Sequence, residues 1–361
     1  MRVAIAAGAS GGHVIPALTV LDALLERSPS AEAAFFGPDD RGERELLGNR
    51  DLPFYRVKAA GLRGRNPISM VRAGFRITAG VVSAFKALRR YRPNVVFSTG
   101  GYGSFPSCIA AKLLRLPIVI FLPDVEPGWA VRAERRLATR IATTTEDALE
   151  HLPKRKTTVT GYPVRAEFFS RTRAEARATL NIPEDEAAIV VAGASQGAQA
   201  INRALIRSLP EIASAAHVLH ITGRDGIGGA ERARESLPEV LKSRYQPAAF
   251  REDLPQLMIA ADLAVLRGGA SILGELPAAS LPAILIPGTY AGGHQRDNAL
   301  WLVDHGAAEL LEESAIGEFS PRVLSLLANA ERLRQMTRSS AELAMPSAAA
   351  DIGALIEEAV K

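Results

Sequence analysis

The stretch RVAIAAGASGGHVIPAL at residues 2–18 decides the fold class of this 361-residue chain. A short apolar run breaks into a glycine-rich turn, and an amphipathic segment follows at once, which is typical of a strand, loop and helix in a parallel sheet. The same order returns as AIVVAGASQGAQAINRAL at residues 188–205. This repetition predicts an α/β chain made of two Rossmann-like, doubly wound domains.

Short apolar runs flanked by Gly or Pro predict strands that are buried on both faces of a parallel sheet. In the first half of the chain these runs are residues 2–7, 33–37, 94–99, 117–122 and 142–145. In the second half they are residues 188–193, 217–222, 248–250, 263–267 and 283–287. We predict one domain at residues 1–163, a second at 164–345, and a C-terminal helix at 346–361 that packs back on the first domain.

The composition limits the class of protein. Hydrophobic residues make up 47% and charged residues 23% of the chain, as in an ordinary globular enzyme. The single cysteine, Cys108, excludes a disulfide framework and favours a reducing compartment. The chain has no signal-peptide pattern and no apolar run near the roughly 20 residues that span a bilayer. We therefore expect a cytoplasmic protein that is soluble or at most peripheral on a membrane.

The charge is distributed unevenly along the chain. The formal net charge is +4, yet residues 52–123 contain twelve Lys and Arg side chains and no acidic one. Such asymmetry favours an anionic partner for the first half of the chain. The candidates are a nucleic acid, a phospholipid and a phosphorylated substrate. The alternative is a solvated basic face with no partner.

Three glycine-rich loops, at residues 8–12, 100–103 and 193–197, each precede a helical segment. Backbone N–H groups and the helix dipole favour anions at such places, so the loops predict phosphate handling. None matches the GxGxxG spacing of nucleotide redox enzymes or the GxxxxGK[ST] loop of P-loop proteins. The loops therefore do not favour either of those classes.

Two titratable residues are candidates for the site, His13 beside the first glycine loop and Glu275 in the segment RGGASILGE at residues 267–275. His13 opens the first helix and is a candidate general base, although a histidine there also serves to cap or pack the helix. Glu275 lies about two turns into a helix that we expect to start near Ala270, where its carboxylate can accept both ribose hydroxyls or simply face solvent. The segment HQRDNAL at residues 294–300 offers further side chains for sugar hydroxyls. No metal-ligand spacing is present, which predicts a metal-independent reaction.

The motifs taken together resemble one family. GASGGHVIPAL, GLRG at 61–64, GGYGSFP, GYPVR, GASQGAQAIN, HITG at 220–223, RGGASILGE and HQRDNA stand in the order and spacing of the MurG family of glycosyltransferases, family 28, from about residue 2 to 345. The resemblance implies a GT-B fold, with two Rossmann-like domains facing each other across a cleft. It also implies inverting, metal-independent transfer of N-acetylglucosamine from UDP-N-acetylglucosamine to the lipid-linked acceptor lipid I, on the inner face of the bacterial membrane.

The resemblance assigns the site residues by position. The first domain holds the acceptor, with loop residues Ser10, Gly11, Gly12, Gly100, Gly101 and Tyr102. The second domain holds the UDP-sugar, with Arg165, Ser195, Gln196, Gly197, Phe250, Arg251, Gly269, Ala270, Ser271, Glu275, His294 and Gln295. The catalytic residues are His13 and Asp124, either of which is the candidate base. No cofactor, metal or nucleic acid is expected.

The chain departs from the family pattern at residues 121–124. The family usually has HEQN there, whereas this chain has FLPD, so that Asp124 replaces an asparagine expected at the donor sugar. Arg251 also stands where an apolar residue is common. Three alternatives follow: a related transferase with another UDP-sugar or another lipid or metabolite acceptor, a UDP-sugar 2-epimerase, and a nucleotide-sugar-binding protein without activity.

The segment from Val71 to Tyr91 predicts an amphipathic helix. We place Phe75, Val82, Phe85 and Leu88 along one apolar stripe, flanked by Arg72, Arg76, Lys86, Arg89 and Arg90. An apolar stripe edged by cations suits the surface of an anionic membrane, where a pyrophosphate-linked acceptor is presented. The alternative is that the stripe packs on the sheet of the first domain and only the cations face solvent.

Overall fold

The chain forms two compact units in the computed structural model. The structure describes residues 1–8, 11–39, 43–48, 50–59, 67–193, 198–288 and 293–361, with the side chains of 43 and 67–73 excepted. Unit 1 comprises Met1–Val164 and Ser347–Lys361, and unit 2 comprises Arg165–Pro346.

Unit 1 is a parallel sheet flanked by helices. Its elements are β1 (Arg2–Ala6), α1 (Gly11–Arg27), β2 (Glu32–Gly37), α2 (Glu43–Leu46), β3 (Phe54–Arg56), α3 (Pro67–Tyr91), β4 (Val95–Ser98), α4 (Phe105–Leu113), β5 (Ile118–Leu122), α5 (Trp129–Glu134), β6 (Arg140–Thr143), two 3-10 turns (Asp147–Glu150 and Lys154–Lys156) and β7 (Thr157–Val159). The strand order is β3-β2-β1-β4-β5-β6-β7. In β1 at the centre, Ile5 lies opposite Phe35 of β2 and Phe97 of β4.

Unit 2 repeats this architecture. Its elements are α6 (Glu167–Ser170), α7 (Arg173–Leu180), β8 (Ala188–Ala192), α8 (Gln199–Arg207), α9 (Leu209–Ala215), β9 (His217–Ile221), α10 (Ile227–Glu235), α11 (Glu239–Lys242), β10 (Tyr245–Ala248), α12 (Leu254–Ala260), β11 (Leu263–Leu266), α13 (Ile272–Ala278), β12 (Ala283–Leu285), α14 (His294–Asp304), β13 (Ala308–Leu310), a 3-10 segment (Glu313–Glu318), α15 (Phe319–Ala328) and α16 (Ala330–Glu342). Its parallel strands have the order β10-β9-β8-β11-β12-β13.

The last helix, α17 (Ala348–Val360), returns to unit 1 and packs against α1. Ile352 and Ile356 are buried, and a Cβ atom on Gly353 would lie 3.8 Å from Cα of Leu24 in α1. An ion pair joins Arg27 to Glu357, and the hydroxyl of Ser28 donates to the same carboxylate at 2.7 Å. Apolar contact and surface pairing together fix the end of the chain on unit 1.

The four apolar residues predicted to form one stripe on helix α3 do not lie on one face. Leu88 is buried and Phe85 packs against the core of unit 1, whereas Phe75 is 74% and Val82 51% exposed. Each step of three residues falls about 60° short of a full turn. The series therefore winds from the solvent side of the helix to its core side, and the four residues do not share one face. The cations of Arg76, Lys86, Arg89 and Arg90 are exposed, while the side chain of Arg72 lies outside the described residues.

Candidate functional site

The strand orders place the candidate residues at two topological switch points. The order reverses between β1 and β4 in unit 1 and between β8 and β11 in unit 2. In open parallel sheets, ligands bind at the carboxyl ends of the strands at such points. His13 follows β1 and the loop at residues 99–104 follows β4, while Ser271 and the start of α13 follow β11. The loop after β8, with Ser195, Gln196 and Gly197, lies outside the described residues, as does Ser10.

His13 is fixed in the first turn of α1. Its Nδ1 lies 2.9 Å from the carbonyl oxygen of Thr99, and the Thr99 hydroxyl donates to the carbonyl oxygen of His13 at 2.8 Å. A carbonyl oxygen can only accept, so Nδ1 carries the proton in this bond. In the neutral imidazole Nε2 is then the basic nitrogen.

The charge state of His13 depends on its burial and on Asp124. Burial lowers the pKa of the imidazole below its ordinary value of 6.5, while the Asp124 carboxylate and the bond to Thr99 raise it by smaller amounts. Asp124 follows the carboxyl end of β5, the neighbour of β4. The structure thus brings the two predicted catalytic residues into one electrostatic environment, with a neutral imidazole at neutral pH.

The first two glycine loops are packed against each other. A Cβ atom on Gly8 would lie 2.4 Å from Cα of Gly103, so this approach requires glycine at both positions. Gly100 and Gly101 have positive φ angles of +79° and +81°. Gly11 and Gly12 belong to the first turn of α1 rather than to the loop, and Tyr102 is half-buried.

The predicted donor residues of unit 2 also come together. Arg165 donates from Nη1 to the carbonyl oxygen of Glu252 at 2.6 Å, which ties the GYPVR segment to the loop after β10. The pKa of Asp253 is lowered, mainly by its hydrogen bond with Arg251 and to a smaller extent by the charge of Arg165. Burial raises the pKa of Glu275, and the charge of Arg165 opposes that rise. Arg165, the loop before α12 and the start of α13 therefore share one electrostatic environment.

Glu275 lies in the first turn of α13, because this helix begins at Ile272 and not near Ala270. The expected position two turns into the helix is thus wrong, and the reason is that Ser271 precedes the helix as its N-cap. The residue is half-buried, and burial raises the pKa of its carboxyl group above the ordinary value, against a smaller lowering effect of the hydrogen bond from Ser271. Gly269 and Ala270 are half-buried beside it.

Arg251 and Phe250, two further candidates for donor binding, differ in their surroundings. Arg251 pairs with Asp253, with its Nε 2.7 Å from Oδ1, while Phe250 beside it is 65% exposed. This pair explains how a cation is accommodated where the family has an apolar residue. The sequence did not reveal Asp253, the acidic partner two residues after Arg251, as a residue of this site.

Helix α14 begins at His294 and is built closely onto the loop after β11. A Cβ on Gly268 would lie 1.9 Å from the carbonyl oxygen of Gln295, and the Asn298 amide donates to the Gly268 carbonyl at 3.1 Å. The side-chain oxygen of Gln295 accepts from the Gly288 amide at 2.8 Å, so a contact with a sugar would come from its NH₂ group.

The HQRDNAL segment is therefore only partly available to a sugar. Asn298 is buried and holds the loop after β11, and Arg296 pairs with Glu312 at 3.0 Å. Nδ1 of His294 is buried and has no hydrogen-bond partner among the described atoms. Of this segment, His294 and Gln295 remain as candidates.

Comparison with known proteins follows the same division of the chain. The model of the glycosyltransferase family 28 N-terminal domain matches residues 3–143, and that of the family 28 C-terminal domain matches residues 188–352. The chain is 35% identical to the UDP-N-acetylglucosamine–N-acetylmuramyl-(pentapeptide) pyrophosphoryl-undecaprenol N-acetylglucosamine transferase of Roseiflexus sp. (strain RS-1), which covers 100% of the chain and 95% of that relative. It is 34% identical to the transferase of the same name from Desulforudis audaxviator (strain MP104C), over 99% of the chain and 98% of the relative.

Solved structures share the fold. MurG of Acinetobacter baumannii superposes with a TM-score of 0.76 at 24% identity and covers 99% of both chains. UDP-GlcNAc 2-epimerase of Neisseria meningitidis superposes with a TM-score of 0.69 at 15% identity and covers 99% of this chain and 100% of its own. At these identities the likeness shows the two-domain fold alone, which transferases and epimerases have in common.

Proposed function

The chain belongs to the MurG family within glycosyltransferase family 28, and from this membership we propose that it transfers N-acetylglucosamine from UDP-N-acetylglucosamine to undecaprenyl-pyrophosphoryl-N-acetylmuramoyl pentapeptide. The reaction converts lipid I into lipid II in peptidoglycan synthesis. The family resemblance supports this proposal, because it runs along the whole chain with 34–35% identity to relatives that carry this name.

The geometry that carries the chemistry is the neutral imidazole of His13. Its Nδ1 donates to Thr99, so Nε2 is the base that removes the proton from the acceptor hydroxyl. The hydroxyl oxygen then bonds to the anomeric carbon of the donor sugar as the bond to UDP breaks. Asp124 stabilises the imidazolium that forms, in keeping with its raising of the His13 pKa.

We place the UDP-sugar on unit 2. The Glu275 carboxylate accepts from the ribose hydroxyls, and the loop after β11, with Gly269, Ala270 and Ser271, lies against the nucleotide. Arg165 and the loop that contains Ser195 hold the diphosphate as charge develops on the leaving UDP. His294 and Gln295 contact the transferred sugar. Support for this arrangement comes from the shared environment of Arg165, Asp253 and Glu275.

We also propose that unit 1 associates with the anionic inner face of the cell membrane, where the lipid-linked acceptor is held. No helix among the described residues is long and apolar enough to cross a bilayer. The supporting observation is the exposure of apolar side chains on the neighbouring helices α3 and α4 and of basic side chains on α3. Phe75 and Val82 of α3 are exposed, and so is Leu113 at the end of the neighbouring helix α4, with 64% of its surface accessible. The exposed cations of α3 suit phospholipid headgroups.

The test of this function separates transfer from epimerisation. Purified protein is incubated with UDP-N-acetylglucosamine, with and without lipid I, and the products are identified by mass. We expect lipid II and UDP only when lipid I is present. Release of N-acetylmannosamine or of an isomerised sugar nucleotide without lipid I would support the epimerase, and UDP binding without any product would support a non-catalytic protein.

A further inference from the structure

A buried carboxyl group lies against the second glycine loop of unit 1. Glu134 ends α5 and is fully buried. The Ser98 hydroxyl donates to Glu134 Oε2 at 3.0 Å, and Ser98 Oγ accepts from the Gly100 amide at 3.1 Å. On the other side of the carboxyl group, Oε1 lies 2.7 Å from Oγ of Ser104. Glu134 thus connects the end of β4 with both ends of the glycine loop.

An ionised Glu134 accepts from the hydroxyls of Ser98 and Ser104, but Ser104 then has no hydrogen left for the carbonyl oxygen of Gly101. Ser104 Oγ lies 2.7 Å from Glu134 Oε1 and 2.8 Å from the carbonyl oxygen of Gly101, but a hydroxyl has one hydrogen to donate. If Glu134 is ionised, Ser104 donates to it, and Gly101 keeps the longer 3.3 Å bond from the Ser104 amide. If Glu134 is protonated, it donates to Ser104, and Ser104 donates to Gly101. The neutral acid therefore satisfies every contact at once.

The charge of Glu134 changes near neutral pH. Burial raises the pKa of its carboxyl group to about 7, against smaller lowering effects of Ser104, Ser98 and Cys108. The titratable group that faces it is the Cys108 thiol of α4, whose own pKa burial raises well above the ordinary value, so that it stays protonated. The groups that face it from β4 and from the loop are the uncharged hydroxyls of Ser98 and Ser104.

The loop that Glu134 holds lies against the imidazole of His13. A Cβ atom on Gly101 would be 3.0 Å from Cδ2 and 3.1 Å from Nε2 of His13. The backbone of Gly101 therefore borders the nitrogen that faces the acceptor in the proposed reaction. A change in the hydrogen bonding of the Gly101 carbonyl acts directly on the surroundings of Nε2.

We propose that Glu134 is a positioning residue whose neutral form holds the loop from Gly100 to Ser104 against His13, and whose ionisation loosens that loop. The catalytic consequence rests on the proposed function, because it assumes that the loop and His13 receive the acceptor. The structural consequence stands on the contacts of Ser98, Ser104 and Gly101 alone.

The structural consequence is tested by hydrogen exchange of the full chain at about pH 6 and about pH 8, on either side of the pKa of about 7. After correction for intrinsic exchange rates, we expect protection of the amides at residues 100–104 to fall roughly tenfold in the wild type between the two pH values, the scale of one hydrogen bond. Glu134→Gln keeps a neutral donor and acceptor in place and should show no fall. Glu32→Gln, which removes a surface carboxylate paired with Arg2, should behave as the wild type.

A second variant, Ser104→Ala, tests whether the Ser104 hydroxyl is needed for protection of the loop. Ser104→Ala removes the hydroxyl that the proton of Glu134 controls, so its loop should be poorly protected at both pH values. In the transfer assay, kcat/KM for the acceptor should fall above about pH 7 in the wild type and stay level in Glu134→Gln. Equal wild-type protection at both pH values, or the same fall in Glu134→Gln, would overturn the proposal. Absence of sugar transfer in every variant would reject the proposed function and leave the exchange result to decide on Glu134.

Discussion

His13 and Thr99 are joined by two hydrogen bonds in opposite directions, of 2.9 Å from the imidazole Nδ1 to the Thr99 carbonyl oxygen and of 2.8 Å from the Thr99 hydroxyl to the His13 carbonyl oxygen. The pair ties the first turn of α1 to the end of β4 at the switch point of unit 1. It fixes both the ring orientation and the tautomer. A base held in this way needs no rearrangement before it accepts a proton.

The first prediction concerns His13 itself. His13→Ala should lower kcat for sugar transfer by roughly 10²–10⁴, the usual contribution of a general base. UDP affinity, measured by isothermal titration, should hardly change, because the donor residues belong to unit 2. If kcat is unchanged and only KM for the acceptor rises, His13 positions the acceptor and another residue is the base.

The pH dependence of transfer tests the pairing of His13 with Asp124. The base form of His13 is lost as the pH falls through its pKa, which burial places below the ordinary 6.5. The acid limb of kcat/KM should therefore lie below that value. Asp124→Asn removes a charge that raises this pKa, so the limb should shift to still lower pH. A limb that moves upward in the variant would contradict the assignment.

Glu275 is predicted to hold the ribose of the donor. Glu275→Ala should weaken UDP binding by roughly 2–3 kcal/mol, the scale of hydrogen bonds to a charged group. The matched control is Glu239→Ala, since Glu239 is a glutamate on the surface of unit 2 with 87% of its side chain exposed. Titration calorimetry should show a loss for the first variant alone, and equal affinities would reject the role of Glu275.

Substitutions at two neighbouring glycines distinguish an effect on stability from an effect on donor binding. Gly268→Ala would place a Cβ 1.9 Å from the Gln295 carbonyl oxygen, so the thermal midpoint should fall, at a cost of about 1–3 kcal/mol for overpacking. A Cβ on Gly269 meets no described atom within 4 Å, so Gly269→Ala should melt as the wild type. If Gly269 lies against the nucleotide as proposed, its variant should still lose UDP affinity. Full affinity would remove Gly269 from the site.

Membrane association is predicted to need both parts of the exposed α3 surface. Wild-type protein should sediment with anionic vesicles at low salt, leave them as salt rises, and ignore neutral vesicles. Changing Arg72, Arg76, Arg89 and Arg90 to Gln, or Phe75 and Val82 to Ser, should abolish sedimentation and leave UDP affinity intact. Wild-type protein that stays in the supernatant with anionic lipid would contradict the membrane proposal and favour a soluble acceptor.

Central strands could be predicted from the sequence, whereas sheet edges could not. The runs at β1, β4, β5, β8 and β11 are apolar because both faces are covered, and this gives a strong signal. The edge strands β3, β7 and β13 are short and only partly buried, so no apolar run reveals them. For the same reason the strand expected at 248–250 lies at Tyr245–Ala248, on the other edge of unit 2.

Site residues could be predicted where a loop motif marks them, but not where a distant residue completes them. Nothing in the segment around Glu134 indicates that its carboxyl group meets Ser98 and Ser104, because those contacts join residues about 30 or more apart. Likewise, Asn298 resembled a sugar ligand but holds Gly268. The periodicity of α3 predicted the helix, but the prediction of one apolar stripe neglected the drift of its three-residue steps, which shows in the burial of Leu88 beside the exposure of Phe75.

The central claim is tested most directly by a competition for the acceptor. Wild-type protein is given lipid I with equal amounts of UDP-N-acetylglucosamine, UDP-N-acetylgalactosamine and UDP-glucose, and the lipid product is identified by mass and by the anomeric coupling in its proton spectrum. We predict a lipid that carries one added N-acetylglucosamine in the β configuration, as inversion requires. A product with another sugar, an α linkage, or unaltered lipid I beside intact UDP-sugars would contradict the account.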